Sequence, residues 1–561
     1  MCEYRPEDLR MAELLFPQVT KTPAELEESR PKRNLPEGAK VTRFAPSPTG
    51  FVHFGGLFPA MVGERLAHQS GGVFYLRIED TDAKREVEGA AQSLIRTLAY
   101  YGVNFDEGVT ESGEVGDFGP YYQSKRAEYY HIYAKQLVKE GKAYPTFTTK
   151  EEQEELDRVD KKQENKTKDW HEAEAARKEA QNAWRAITPE EAEAHLKAGD
   201  LFVLRLRAEG DAEKKIPFTD LVRGKLEIPE NDEDFVLLKS DGIPTYHFAH
   251  AVDDHLMETT HVVRGEEWLP SLAKHLMLFS YLGFKLPKYM HIAQLMKLDE
   301  SGNKKKLSKR DMGANMEDYR RLGYAPACVT EYVMTLLNSN FEEWRTANPE
   351  KDYTEFPFSP KKMSVSGCLF DLDKLSDVSK NTIARMSAKE VSDGVMDWAK
   401  DFDPEFYAHL SANPAMSEEI FAIGRGGKKS RKDLSRWSDA KDYMGFFYRQ
   451  YLEKPVWEEK FDRAEIADLL NEYLQNYTLD CDNSGWFDFV KSLAEKHGFC
   501  PDMKAYKADP APWKGSVADV SGFLRLAITG KSNSPDLFTV MSILGKEESD
   551  ERLRLAISAC N

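Results

Sequence analysis

Cysteine is scarce in this chain of 561 residues: Cys2, Cys328, Cys368, Cys481, Cys500 and Cys560 lie far apart, with no Cys-x-x-Cys pair. That spacing speaks against a disulfide framework or a thiolate zinc site and fits the reduced thiols of a cytoplasmic protein. Nor is there a run of about 18 apolar residues of the kind a membrane-spanning helix needs. The opening Met1-Cys2-Glu3-Tyr4-Arg5 lacks the basic-then-apolar order of a secretory leader. No internal repeat or long low-complexity tract is apparent. Positive charge is in deficit, 77 Lys and Arg against 95 Asp and Glu, for a net −18. This argues against a protein that coats nucleic acid indiscriminately. A selective RNA partner stays compatible, because its binding depends on where cations cluster.

What is present is the composition of a globular enzyme, long enough for several modules. Residues 1–39 are polar and proline-dotted, with an amphipathic patch at Leu14-Leu15-Phe16, and read as an appended arm. A strand is expected from Lys40 to Ala45, then a Pro/Gly-rich loop from Pro46 to Gly56 and a helix to about Ala67. A second strand follows over Gly72 to Ile78, with Thr81 or Asp82 placed to cap a helix running to Tyr100. Strand, Gly-rich loop, helix, strand is the opening of a nucleotide-binding α/β sheet. Residues 150–200 turn Glu/Lys/Ala-rich, as a solvated helical segment would. Strand-like alternation returns at Leu201 to Arg207, and the core sheet is expected to resume at Thr245 to Ala249 and at His261 to Gly265. The α/β fold is therefore split by an insertion, and beyond about residue 380 the periodicity is helical.

Two motifs carry chemistry. In the first, Arg43-Phe44-Ala45-Pro46-Ser47-Pro48-Thr49-Gly50 leads to His53-Phe54-Gly55-Gly56. Glycines before a helix start let phosphate approach the backbone, and the helix N-terminus favours negative charge. His53 can donate to a phosphate oxygen there, although a turn histidine would read the same in isolation. In the second, Lys304-Lys305-Lys306-Leu307-Ser308-Lys309-Arg310 reads either as a basic surface loop or as a mobile cationic loop closing over a triphosphate. Gly302 would give that loop its flexibility.

Together these strings resemble the two signatures of class I aminoacyl-tRNA synthetases, and in detail those of bacterial-type glutamyl-tRNA synthetases. The matching stretches are Arg43 to Gly56, Leu76 to Asp82, Asp241 to Tyr246, Val252-Asp253-Asp254, Thr260 to Trp268 and the lysine segment. Glutamine-specific relatives usually carry a Pro-Glu-Pro-Asn type of first loop, whereas this chain has Pro46-Ser47-Pro48-Thr49. The resemblance implies a Rossmann-like α/β catalytic domain split by an insertion, followed by an all-α anticodon-binding region. Its implied boundaries are 40–120 and 241–300 for the catalytic halves, 121–240 for an inserted acceptor-stem-binding domain, 301–380 for the lysine loop and stem contacts, and 381–561 for the helical region.

By the same resemblance, Arg43 with Tyr246 would hold the glutamate side-chain carboxylate and Arg264 the α-carboxylate. Ser47 and Glu79 would receive the ammonium group. ATP would meet Thr49, His53, Gly55, Glu267, Trp268 and Lys309, with His53, Lys306 and Lys309 supporting the chemistry together with Mg2+. His250 stands where some relatives have asparagine. Many relatives hold a structural zinc early in the insertion, but this chain reads Ala143-Tyr144-Pro145-Thr146-Phe147-Thr148-Thr149, so no zinc or other protein-bound metal is expected.

Arg425, Lys428, Lys429, Arg431 and Lys432, followed by Arg436-Trp437, form the densest basic patch and a candidate tRNA contact with an aromatic stacking surface. A solvated basic helix start would read alike. The implied partners are L-glutamate, ATP and tRNA(Glu); charging of tRNA(Gln) as well is equally compatible with the sequence. A monomer, and a need for tRNA during activation, follow from the resemblance alone. A paralogue that glutamylates a modified anticodon base would lack residues 381–561. A small-molecule nucleotidyltransferase would not explain them, and a non-catalytic RNA-binding protein would not need His53, Glu79 and Lys309 together.

Overall fold

The computed structural model describes residues 4–50, 52–82, 87–147, 182–307, 315–427 and 430–560. They form two compact units: residues 1–316 with 333–370, and residues 317–332 with 371–561.

The first unit is built on a parallel sheet. Strand β1 (Val41–Phe44) pairs in parallel with β2 (Val73–Leu76), Val41 opposite Val73 and Phe44 opposite Leu76. β2 pairs in parallel with β3 (Glu107–Thr110), and β4 (Gly113–Val115) closes that edge antiparallel. Between β1 and β2 runs helix α1 (Phe54–His68), apolar on nearly every face and buried accordingly. On the other side of β1, the Thr260 N–H donates to Val41 O (3.0 Å), and strand β5 (His261–Gly265) continues from there, parallel to β6 (Lys288–Ile292). The chain thus leaves β1 for β2 on one side and for β5 on the other. This is a topological switch point, where open α/β sheets leave a crevice at their strand carboxyl ends.

Two expected elements differ. The stretch Thr245–Ala249, expected as a strand, begins helix α2 (Tyr246–Leu256), with Thr245 as N-cap. Its aromatic and small apolar residues look strand-like over five positions, but Phe248, Ala249, Val252 and Leu256 recur at helical spacing and are buried. The helix ending at Tyr100 starts at Ala90, after Gly89 in the left-handed region, so neither Thr81 nor Asp82 caps it. Within 121–240, an antiparallel sheet pairs Ala143–Thr146, Val203–Leu206 and Val236–Leu238. The acidic–basic stretch 148–181 lies outside the described residues.

The segment read as an appended arm is part of the core of this unit. Met11, Ala12, Leu15, Phe16, Val19 and Leu26 are buried in one cluster with Tyr130, Tyr133, Phe248, Phe279 and Phe284. The buried ammonium of Lys135 reaches Glu13 Oε2 (2.7 Å), Phe16 O (3.1 Å) and Val19 O (2.8 Å), satisfying carbonyls where the arm turns. Arg33 forks onto both carboxylate oxygens of Glu107 (2.7 and 2.9 Å) and lies over the Phe118 ring.

The second unit is helical, with one isolated bridge, Cys500 to Ser516, among its described residues. Local sequence starts its helices: Asp371 caps Leu372–Arg385, a Ser387/Glu390 capping box opens Ala388–Phe402, and Asp462 caps Arg463–Asn476. Their apolar faces meet around Trp437, Tyr473, Trp486, Phe523 and Met541.

Candidate active site

One cleft of about 450 Å³ opens at the carboxyl ends of β1 and β5. Arg43, Ser47, His53, Gly55, Glu79, Tyr246, Arg264, Glu267, Trp268 and Lys306 all line it. Thr49 is exposed and is not among the lining residues. Lys309 lies outside the described residues.

The amino-acid end rests on a buried ion network. Arg43 Nε lies 3.1 and 3.2 Å from the two carboxylate oxygens of Asp254, and Arg77 Nη1 donates to Asp254 Oδ1 at 2.7 Å. Arg77 Nη2 reaches Glu79 Oε1 (3.2 Å). One residue away, Asp253 takes Arg126 Nε (2.6 Å), Gln123 Nε2 (2.8 Å) and the Tyr130 hydroxyl (2.9 Å). Three arginines therefore face three carboxylates, away from water, on elements fixed by the sheet and α2. Burial would raise the Asp254 carboxyl, but Arg43 and Arg77 overrule it and hold it well below the usual range. Glu79 goes the other way, because burial outweighs its two arginines and raises it. His250 Nε2 pairs with the Tyr289 hydroxyl (2.9 Å) and its ring lies parallel to Tyr246; it packs behind the cleft and does not line it.

Arg264 stands apart from that network. Its Nε donates to His291 Nε2 (2.9 Å), its Nη1 lies 3.0 Å from His275 Nδ1, and its guanidinium covers the Tyr289 ring at 4.7 Å. Nη2 is buried with no hydrogen-bond partner among the described residues. Burial lowers His275 well below the ordinary histidine value and His247, beside it, to about 3.

At the nucleotide end, the first loop is pinned by Glu79 N–H to Pro46 O (3.0 Å) and Val87 N–H to Pro48 O (3.0 Å). His53 is the N-cap of α1. Pro59 has no N–H, so the Gly55 carbonyl receives no i+4 donor, and both residues line the cleft. Tyr246 and Trp268 form an aromatic pair with centroids 4.2 Å apart. Glu267 is drawn against Gly265, where a Cβ would come within 2.1 Å of its carboxylate. Gln294 holds both acids, its N–H on Glu266 (3.1 Å) and its amide on Glu267 (3.3 Å).

Lys304–Lys306 was expected as loop and is instead a short exposed strand, antiparallel to Leu295–Leu298 with Lys306 opposite Met296. Gly302, at φ +80°, makes the hairpin turn with Asp299 accepting from Ser301 and Asn303, so its glycine serves the turn. All three lysines are exposed, so solvent screens their mutual repulsion while the backbone pairs.

Among the described residues of the basic patch in the second unit, the three arginines are engaged within the unit. Arg425 is part-buried and donates to Phe421 O (3.0 Å), Met386 O (3.0 Å) and Ile383 O, closing two helix ends. Arg431 pairs with Asp433, and Arg436 with Asp439 (2.9 Å). Trp437 is a core residue rather than a stacking surface. Lys432 is exposed, and Lys428 and Lys429 lie outside the described residues. Among the described residues no group of three His, Cys, Asp or Glu side chains is arranged to hold a metal ion.

Sequence reasoning assigned no role to Arg77, Arg126, Asp253, Asp254, His275 or His291. A signal for Asp253 and Asp254 was present, since they stand one turn after Ala249 and Ala251 on a helix that is apolar on both of these sides, where an acid must be paired.

Residues 40–375 match the family of tRNA synthetases class I (E and Q), catalytic domain, and residues 516–557 match an anticodon binding domain. This is a class I tRNA synthetase architecture. The chain is 46% identical over 548 residues to a glutamate–tRNA ligase of Acetivibrio thermocellus, covering 97% of this chain and 99% of that one. It is 40% identical over 580 residues to that of Sorangium cellulosum, covering 95% and 97%. A crystal structure of a glutamate tRNA ligase from Elizabethkingia meningosepticum in complex with its amino acid superposes with a TM-score of 0.71 at 27% identity, over 93% of this chain and 100% of that one. The chain belongs to the glutamate–tRNA ligase family.

Proposed function

We infer that the chain activates L-glutamate with ATP and transfers it to tRNA(Glu), releasing pyrophosphate and then AMP. Two arginines in one cleft at the sheet's switch point carry this reading: Arg43, whose charge is shared with Asp254, and Arg264, which touches only uncharged acceptors. A dicarboxylate spanning them would use guanidinium forks at both ends. Arg264 takes the α-carboxylate, Arg43 and Tyr246 the side-chain carboxylate, and Glu79 with Ser47 the ammonium group. The nucleoside lies by Glu267 and Trp268, and the phosphates by Thr49, His53, Gly55, Lys306 and Lys309.

The α-carboxylate oxygen attacks the α-phosphorus in line and pyrophosphate leaves, forming glutamyl-adenylate. A terminal ribose hydroxyl of tRNA then attacks the acyl carbon and AMP leaves. No protein nucleophile takes part; positioning and charge stabilisation lower the barrier. Mg2+ enters as the counter-ion of ATP. Residues 121–240 hold the acceptor stem and 381–561 the anticodon arm. The protein works as a cytoplasmic monomer, and the free thiols of all five described cysteines fit a reducing compartment.

ATP–pyrophosphate exchange with glutamate or glutamine, with and without tRNA, tests the reading. Exchange should require glutamate and fall sharply in Lys309→Ala; exchange indifferent to glutamate overturns it. Charging of purified tRNA(Glu) and tRNA(Gln) side by side tests the choice of tRNA, and glutamate transferred to both overturns the restriction to tRNA(Glu).

A further inference from the structure

Arg264 is held in a way that its neighbours explain only together. A guanidinium has donors and no acceptor, so each ring nitrogen that it faces must carry a lone pair. His291 Nε2, 2.9 Å from Arg264 Nε, is therefore unprotonated, and the ring proton sits on Nδ1, 2.8 Å from Asp220 Oδ2. His275 Nδ1, 3.0 Å from Arg264 Nη1, is likewise unprotonated, and its proton sits on Nε2, 3.0 Å from His247 Nδ1. Both rings are fully buried, His291 on β6 and His275 on the helix Leu272–Tyr281. Asp220 is fixed in turn by the backbone N–H groups of Val222, Arg223 and His291.

We propose that His275 and His291 are positioning residues for the amino-acid substrate, which fix the Arg264 guanidinium as uncharged acceptors and leave its charge to the substrate carboxylate. A carboxylate in either place would orient the arginine as well but would take up part of its charge, as Asp254 does for Arg43. Asp220 and His247 act one step further out by fixing which ring nitrogen bears the proton, as second partners of liganding histidines do at metal sites. The burial that keeps both rings neutral serves the same end. The inference rests on the assignment of Arg264 to a carboxylate of the substrate.

Exchange kinetics of the full-length enzyme test it. His291→Gln keeps an acceptor near the Nε2 position and His275→Asn keeps one near Nδ1, whereas a leucine at either position removes it. A lost hydrogen bond to a charged group predicts that His291→Leu and His275→Leu raise the glutamate KM about tenfold to a hundredfold. Their ATP KM should change less than about twofold, and Gln or Asn should bring the glutamate KM back to within about threefold of wild type. An unchanged glutamate KM in the leucine variants, equal losses for ATP and glutamate, or amide variants as impaired as leucine would each overturn the proposal.

Should the leucine variants fail to fold, the intact enzyme labelled with 15N-histidine gives the second test. At neutral pH His291 must be the neutral Nδ1–H tautomer and His275 the neutral Nε2–H tautomer; the opposite tautomers or a charged ring overturn it. Wild-type enzyme without glutamate-dependent exchange would sink the functional reading, while the tautomers would still test the clamp.

Discussion

Raising the pH through the weakly alkaline range should loosen the first unit, and His68 carries the effect. This residue ends α1, with Nδ1 2.8 Å from Glu64 Oε1 and Nε2 2.9 Å from Asp106 Oδ2. Both ring nitrogens face carboxylates, so only the imidazolium satisfies both. Its hydrogen bonds to Asp106 and Glu64 outweigh partial burial and raise its pKa from 6.5 to about 9. A histidine raised on folding contributes stability that is complete below its unfolded value, near 6.5, and lost as the pH rises through about 9. The full shift corresponds to a ceiling of about 3 kcal/mol. The His68 side chain is 30% exposed and that of Asp106 40%, so solvent screening takes part of this away. About 1.5 kcal/mol should survive.

The assay is urea unfolding of wild type and His68→Gln from about pH 6 to about pH 9.5, comparing the transition that includes the first unit. Tyrosine, lysine and cysteine titrations common to both chains cancel in the difference. Wild type should lead by about 1.5 kcal/mol at the acid end, and the gap should close at the alkaline end. A gap that is constant, or that widens with pH, refutes the reasoning.

Asp254→Asn should destabilise the first unit by about 3–5 kcal/mol, because it removes from a buried network the carboxylate charge that Arg43 meets at 3.1 Å and Arg77 at 2.7 Å. A loss of less than about 1 kcal/mol in the free energy of urea unfolding would contradict the network's role. Arg425→Ala should lower the melting temperature of the second unit while leaving the salt dependence of tRNA affinity unchanged. A log–log salt slope reduced by about one would instead make Arg425 a phosphate contact.

Much of the fold was legible because local rules and tertiary structure agree in the catalytic half. The strand Val41–Phe44, the glycine-bearing turn and the apolar helix after His53 each follow from their own residues, and the cleft gathers most of the residues picked from the motifs. What escaped depends on partners distant in sequence. Nothing around Arg77 announces that it meets Asp254, and His275 and His291 look like core histidines until Arg264 is placed between them. The Thr245–Ala249 error has a different cause, since five residues are too few to separate a period of 2 from one of 3.6. The partners of the basic patch escaped because carbonyl capping by Arg425 and the Asp433 and Asp439 pairs cannot be read from charge density. The 1–39 segment looked polar because Met11, Ala12, Leu15, Phe16, Val19 and Leu26 are diluted among charges that solvate its outer face.

That segment also sets an order of events during synthesis. Leu15, Phe16 and Leu26 are made well before the surfaces that cover them, which include Phe248, Phe279 and Phe284. On the ribosome their apolar side therefore lacks its full native cover until Phe284 has cleared the exit tunnel, with Tyr130 and Tyr133 supplying part of it on the way. A nascent chain halted in between carries an uncovered apolar segment. Translation runs from arm to helix, whereas packing can finish only from helix back to arm.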